Sequence, residues 1–98
     1  MKAGQLSEQE VLSALAGLPG WSLQEGKLHK EFTFPDFALA FGFIASAVPG
    51  IERRNHHPEW KNVYNRIIVD LVTHDAGGIT AADVELAQAL EDLAHRLQ

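Results

Sequence analysis

The chain contains no cysteine, which excludes a disulfide framework, a thiolate nucleophile and any cysteine-ligated zinc centre. Positive charge is scarce. Eight Lys and Arg stand against thirteen Asp and Glu, a net charge of −5, and the longest basic run is Arg53-Arg54. That balance argues against nucleic acid as a partner. No apolar stretch approaches the roughly 20 residues that span a bilayer. The N-terminal region carries Glu8 and Glu10 instead of a continuous apolar run, so no secretory signal is read. The chain therefore reads as soluble and cytoplasmic, without a membrane partner. Linkers, repeats and low-complexity tracts are also missing, so residues 1–98 read as a single domain. A chain of this length sits near the lower end for a self-sufficient core, and assembly into oligomers would bury more surface.

What is present falls into seven elements. Ser7-Glu8-Gln9-Glu10 is a capping box, with Leu6 and Val11 placed as a hydrophobic staple. Val11, Leu15 and Leu18 continue at helical spacing until Gly17, Pro19 and Gly20 end the helix. Trp21 to Phe34 reads as a hairpin turning at Glu25-Gly26. In its second strand Leu28, Phe32 and Phe34 share a parity that Lys30 interrupts. His29, on the other parity, reads as solvated and without function. Pro35 is expected in the first turn of a second helix, with Asp36 favourable at its positive end. Phe37, Phe41, Ile44 and Val48 recur at helical spacing and read as a core-facing stripe. Pro49-Gly50 interrupts this helix, which is expected to kink and resume through Ile51 to Asn55. Trp60 to His74 reads as a second hairpin turning near Tyr64-Asn65-Arg66. Ile67, Val69 and Leu71 take one face; Ile68, Asp70, Val72 and His74 take the other. Ile68 and Val72 make that second face apolar enough to suggest cover by a partner chain. Thr80-Ala81-Ala82-Asp83 caps a last helix striped by Leu86, Leu90, Leu93 and Leu97, with His95 a surface residue near its end. The expected fold is α+β, in the order α-β-β-α-β-β-α. It comprises a four-stranded antiparallel sheet with three helices packed on one face.

Three of the five histidines flank the second hairpin: His56 and His57 before it, His74 at its end. A His-His-Pro turn could be structural, since proline drives the preceding residue into extended geometry. Three histidines could instead form an open zinc site, but the helical His pair of many zinc enzymes is missing. Proton transfer is the third reading, because imidazole offers donor and acceptor forms near neutrality. Glu52, Glu59 and Asp75 are close in sequence to orient the rings. Trp60 and Tyr64 read as wall or core.

Glu52, His56-His57-Pro58, Trp60, Tyr64, His74 and Asp83 together resemble the signature of the pterin-4a-carbinolamine dehydratases. Asn55-His56-His57-Pro58-Glu59-Trp60, Asn62-Val63-Tyr64-Asn65 and Thr73-His74-Asp75-Ala76-Gly77-Gly78 all fit that pattern, as do Ala40-Phe41-Gly42-Phe43 and the hairpin start at Trp21. Pro49-Gly50 departs from it. The resemblance implies dehydration of 4a-hydroxytetrahydrobiopterin to quinonoid dihydropterin and water during tetrahydrobiopterin recycling, with no cofactor and no metal. It places catalysis on His56, His57 and His74 without dividing the roles; within that set His56 is read as the base and His57 or His74 as the acid. It places substrate contacts on His56, His57, Pro58, Thr73, His74, Asp75 and Ala76. Glu52, Trp60 and Asp83 are supporting candidates, Asp83 read first as a cap. A homodimer or homotetramer is implied. The alternatives are a pterin-binding protein without catalysis, or a dimerisation and transcription-coactivator module.

Overall fold

Ser7 opens the first helix as the sequence requires: its Oγ accepts from the Glu10 amide at 3.1 Å, and Glu10 accepts from the Ser7 amide at 2.8 Å. The structure is a computed structural model that describes residues 4–98. Its elements are α1 (Glu8–Leu15), β1 (Ser22–Gln24), β2 (Lys27–Thr33), α2 (Phe37–Arg54), β3 (Glu59–Val63), β4 (Arg66–Leu71) and α3 (Ala81–Leu97). A single 3-10 turn, His74–Ala76, lies between β4 and α3. The strands form one antiparallel sheet in the order β1-β2-β4-β3. The α+β reading and the element order both hold.

Side chains alternate across the sheet. Leu28, Phe32, Ile67, Val69 and Leu71 are buried beneath the helices, whereas His29, Ile68, Asp70 and Val72 lie on the uncovered face. Phe43 of α2 completes an aromatic core, its ring centroid 5.2 Å from Phe32, 5.1 Å from Phe34 and 6.3 Å from Trp60. His74 falls in the 3-10 turn and not on the open face of β4.

Lys30 points inward with Leu28 and Phe32 because a partner waits there. Its Nζ donates to Glu91 of α3 at 2.6 Å and to the Pro19 carbonyl at 2.9 Å, above the Phe32 ring. Trp21 Nε1 donates to the same carboxylate at 2.9 Å. Glu91→Ala would strand the indole donor and leave Lys30 only the Pro19 carbonyl in a mostly dry site, and should cost about 2 kcal/mol, less than for a fully buried pair because water still reaches it. Lys30→Met should cost less, since Glu91 keeps the indole. Urea midpoints for the two variants would check the order; a smaller loss for Glu91→Ala would refute it.

Three further expectations about the fold need correction. Pro35 lies outside α2: Asp36 is the N-cap, its carboxylate accepting the Leu39 amide at 2.8 Å, so the helix begins at Phe37. Of the expected stripe Phe37, Phe41, Ile44 and Val48, only Ile44 packs partly against the core; the other three are exposed, Phe41 by 57%. The buried face of α2 is Ala40, Phe43, Ala47 and Ile51, where two alanines let the helix axis approach its neighbours closely. The third concerns His29, whose Nδ1 lies 2.8 Å from Asp70 Oδ1 on the opposite strand, partly buried. α2 does continue through Pro49 to Arg54. A proline there costs about 3 kcal/mol in helix terms, which the packing of Ala47 and Ile51 on either side must offset.

Candidate active site

The end of α2 creates the first part of the site. Asn55 caps the helix in the left-handed region, φ 50°, a conformation asparagine tolerates better than most residues. This turn directs His56 and His57 away from the helix axis before Pro58 leads into β3. The second part comes from the chain beyond β4, where Val72 and Thr73 precede the 3-10 turn bearing His74 and Asp75. The two segments enclose an open cavity of about 280 Å³ lined by Asn55, His56, His57, Val72, Thr73, His74 and Asp75.

Each of the three imidazoles meets its own carboxylate through Nε2. His56 lies 2.5 Å from Asp83 Oδ1, His57 2.8 Å from Glu52 Oε1, and His74 3.0 Å from Glu59 Oε2. Their environments differ sharply: the His56 side chain is 16% exposed, His57 58% and His74 71%. His56 is thus the enclosed member, and the other two stand at the solvent side.

Asp83 is the deepest charged group in the site, at 0% exposure. Its Oδ2 accepts the Thr80 amide at 2.9 Å and the Thr73 hydroxyl at 2.7 Å, while Oδ1 faces His56. Because Thr73 spends its proton on Asp83, the Thr80 hydroxyl donates to Thr73 across 2.9 Å. Every polar atom of the cluster is therefore satisfied, as buried groups require. The carboxylate does cap α3, but it also ties the end of α2 and the segment after β4 to that helix. Capping alone does not account for it. The sequence signal was an acidic residue at the third helical position, which shows the local bond and conceals the distant ones.

Glu59 is held from two sides, with Lys27 Nζ at 2.6 Å on one oxygen and His74 on the other. Hydrogen bonding to Lys27, and then to His74, holds its carboxyl below the usual range. The same bond to Glu59 raises the Lys27 ammonium above its ordinary value. A lowered carboxyl remains ionised at neutral pH. Its support for Lys27 and His74 is present above the usual carboxyl range and is lost as pH falls through the lowered value.

Of the remaining candidates, Thr73 and Asp75 line the cavity, whereas Pro58 and the buried Ala76 do not. Asp75 forms no hydrogen bond or ion pair with an imidazole among the described residues. Trp60 faces the helices against Phe43. Tyr64, expected as wall or core, is 68% exposed at the β3–β4 turn with φ 52°. Asn55 and Val72 are lining residues missed from the sequence. A helix-capping asparagine and the parity of β4 were the signals available for them.

Residues 4–93 match the family described as pterin 4 alpha carbinolamine dehydratase. The chain belongs to that family. A member named for the same dehydratase in Solibacter usitatus is 56% identical over 90 residues, covering 92% of this chain and 95% of its own. Another in Rhizobium etli is 48% identical over 98 residues, covering 98% of this chain and 97% of its own. The crystal structure of a transcriptional coactivator/pterin dehydratase from Brucella melitensis matches the fold with a TM-score of 0.88. It is 41% identical in sequence, and the match covers 92% of this chain and 98% of that one. The dehydratase family thus accounts for both the sequence pattern and the sheet-and-helix architecture. Among the described residues no helix is long and apolar enough to cross a membrane.

Proposed function

We propose that the chain dehydrates a pterin-4a-carbinolamine, in the recycling of tetrahydrobiopterin, with the cavity imidazoles as acid and base. The observation that carries this reading is the set of three imidazoles on one cavity, each backed by a separate carboxylate. In the reaction the proton on nitrogen 5 goes to a base, the carbon 4a–oxygen bond breaks, and a carbon 4a–nitrogen 5 double bond forms. The departing hydroxide takes a proton and leaves as water. Positioned imidazoles can serve both transfers near neutral pH.

His56 suits the base. With Nε2–H donating to Asp83, its lone pair is on Nδ1, and the carboxylate balances the charge that develops when that nitrogen takes a proton. His57 and His74 suit the acid at the solvent side, where Glu52 and Glu59 hold the rings in place to donate to the leaving oxygen. Thr73 and Asp75 supply polar contacts at the cavity rim for the pterin ring. An assay with freshly generated carbinolamine tests the reading, after subtraction of the spontaneous reaction. Acceleration is expected. A folded protein that gives none would overturn catalysis and leave a binding or coactivator role.

The same reading includes a homo-oligomer, a dimer or tetramer. Phe37, Phe41 and Val48 form an exposed apolar stripe on α2, and such contiguous patches mark association surfaces. Light scattering at micromolar concentration should give a mass well above the 10.8 kDa of one chain. Phe41→Glu should shift the distribution toward the single chain, and a wild type that is already monomeric would refute the proposal.

A further inference from the structure

A second concavity lies on the other flank of α2. Helical geometry sets Ser46, Gly50 and Arg53 opposite Phe41 and Val48, and there α2 and α3 enclose a groove of about 190 Å³. It shares no lining residue with the histidine cavity. Its floor is apolar, made by Ala47, Ile51, Leu86, Leu90 and Leu93; its rim carries Arg53, Arg54 and Arg96 and no carboxylate.

The rim runs against the sign of the whole chain, which is −5. Favourable placement of cations near helix C-termini accounts for each arginine singly. It does not account for the lack of partners. Lys27, Lys30 and Arg66 each meet a carboxylate, and Arg54 has a loose one in Glu85 at 3.8 Å. Arg53 and Arg96 form no ion pair among the described residues. The Arg54–Glu85 contact also shows that the last turn of α2 lies beside the N-terminal part of α3. Arg96, in the last turn of α3, is therefore at the far end. The groove is apolar along its length and positive at both ends.

Gly50 lines it without a side chain. A Cβ at this position would meet only the Arg53 guanidinium, at 3.7 Å, so packing does not demand glycine there. Pro49 and Gly50, which the histidine site leaves unexplained, both line the groove.

We propose that this groove is a binding site for a small amphiphilic carboxylate. An unbranched apolar chain would lie along the leucine floor, and the carboxylate would take paired hydrogen bonds from an arginine fork, whose planar donors match its two oxygens. The arginines explain the preference for an anion, and the floor explains why a simple anion would not suffice.

Octanoate is the probe, titrated into the isotope-labelled full chain while amide shifts are followed by NMR. Saturable shifts should centre on Ala47, Ile51, Leu86, Leu90 and Leu93. Octanol, of equal chain length, should bind at least about tenfold more weakly for want of the charge-assisted bonds. Octylammonium and acetate should not saturate. Arg53→Gln with Arg96→Gln should weaken octanoate by about tenfold or more. Gly50→Leu should abolish binding while raising the melting temperature, because leucine is the better helix former, so a loss there cannot be misfolding. Equal affinity for octylammonium or octanol would overturn the proposal. So would shifts centred on Phe41 or the histidines, undiminished binding in Gly50→Leu, or no saturable response at millimolar octanoate.

Discussion

Asp83→Asn should lower the catalysed dehydration rate by about 10²–10⁴-fold while leaving the fold in place. The asparagine carbonyl can still accept the Thr80 amide and the Thr73 hydroxyl, the two bonds now made by Oδ2. Its NH₂ then faces His56 Nε2, where the carboxylate Oδ1 stood. An amide donor there forces the ring to accept, which moves the imidazole proton to Nδ1 and removes the lone pair assigned as base. Stability should fall by no more than about 1–2 kcal/mol, since the hydrogen-bond count is kept. Asp83→Ala is the contrasting case. It leaves one buried and two part-buried donors without this acceptor and should cost about 3–5 kcal/mol, a large share of the roughly 5–15 kcal/mol typical of a domain. Rates, urea midpoints and ¹⁵N shifts of the His56 ring separate the two effects. Full activity in a folded Asp83→Asn protein, with the tautomer changed, would refute His56 as the base.

His57→Ala and His74→Ala should each slow the catalysed reaction by one to a few orders of magnitude, in keeping with general acid–base contributions of about 10²–10⁴-fold. Both side chains are mostly exposed, so neither supports the core and both variants should fold. The double variant should lose less than the product of the single effects if the two act in one step. His95→Ala and His29→Ala are the controls. His95 is exposed on α3 and should change nothing. His29 gives up its bond to Asp70 on the far side of the sheet strand, so a small loss of stability is expected with the rate intact. If His29→Ala or His95→Ala abolishes the reaction while the cavity variants retain it, the chemistry has been assigned to the wrong histidines.

Local signals were the legible ones. The capping boxes at Ser7 and Thr80, the Glu25-Gly26 turn and the strand alternation in Ile67–Leu71 each depend on residues within a few positions, and each gave the right element. The grouping of His56, His57 and His74 was legible too, because both segments end at the same edge of the second hairpin. The buried face of α2 was not. That helix is apolar nearly all round, so periodicity offers two stripes and bulk favours the phenylalanines, whereas close helix packing selects Ala40 and Ala47. Asp83 was half legible: the bond to Thr80 spans three positions, and the bond to His56 spans 27. Lys30 announced itself as a break in an apolar parity, but its reason, Glu91, lies 61 positions away.

The proline within α2 bears on how the molecule transmits force. Pro49 has no amide proton, so the rung that would join residue 49 to the carbonyl of residue 45 is missing. The gap falls between the exposed stripe ending at Val48 and the last turn, which carries Arg53, Arg54 and the cap ahead of the histidines. A rod with one rung removed is more compliant at that point than along the rest of its length. Strain arriving at Phe37 or Phe41 when another surface docks there can be absorbed at this joint, as bending, before it reaches His56. The aspartate anchoring His56 belongs to a different helix. The His56 ring is thus expected to be mechanically insulated from events along the outer face of the helix that delivers it.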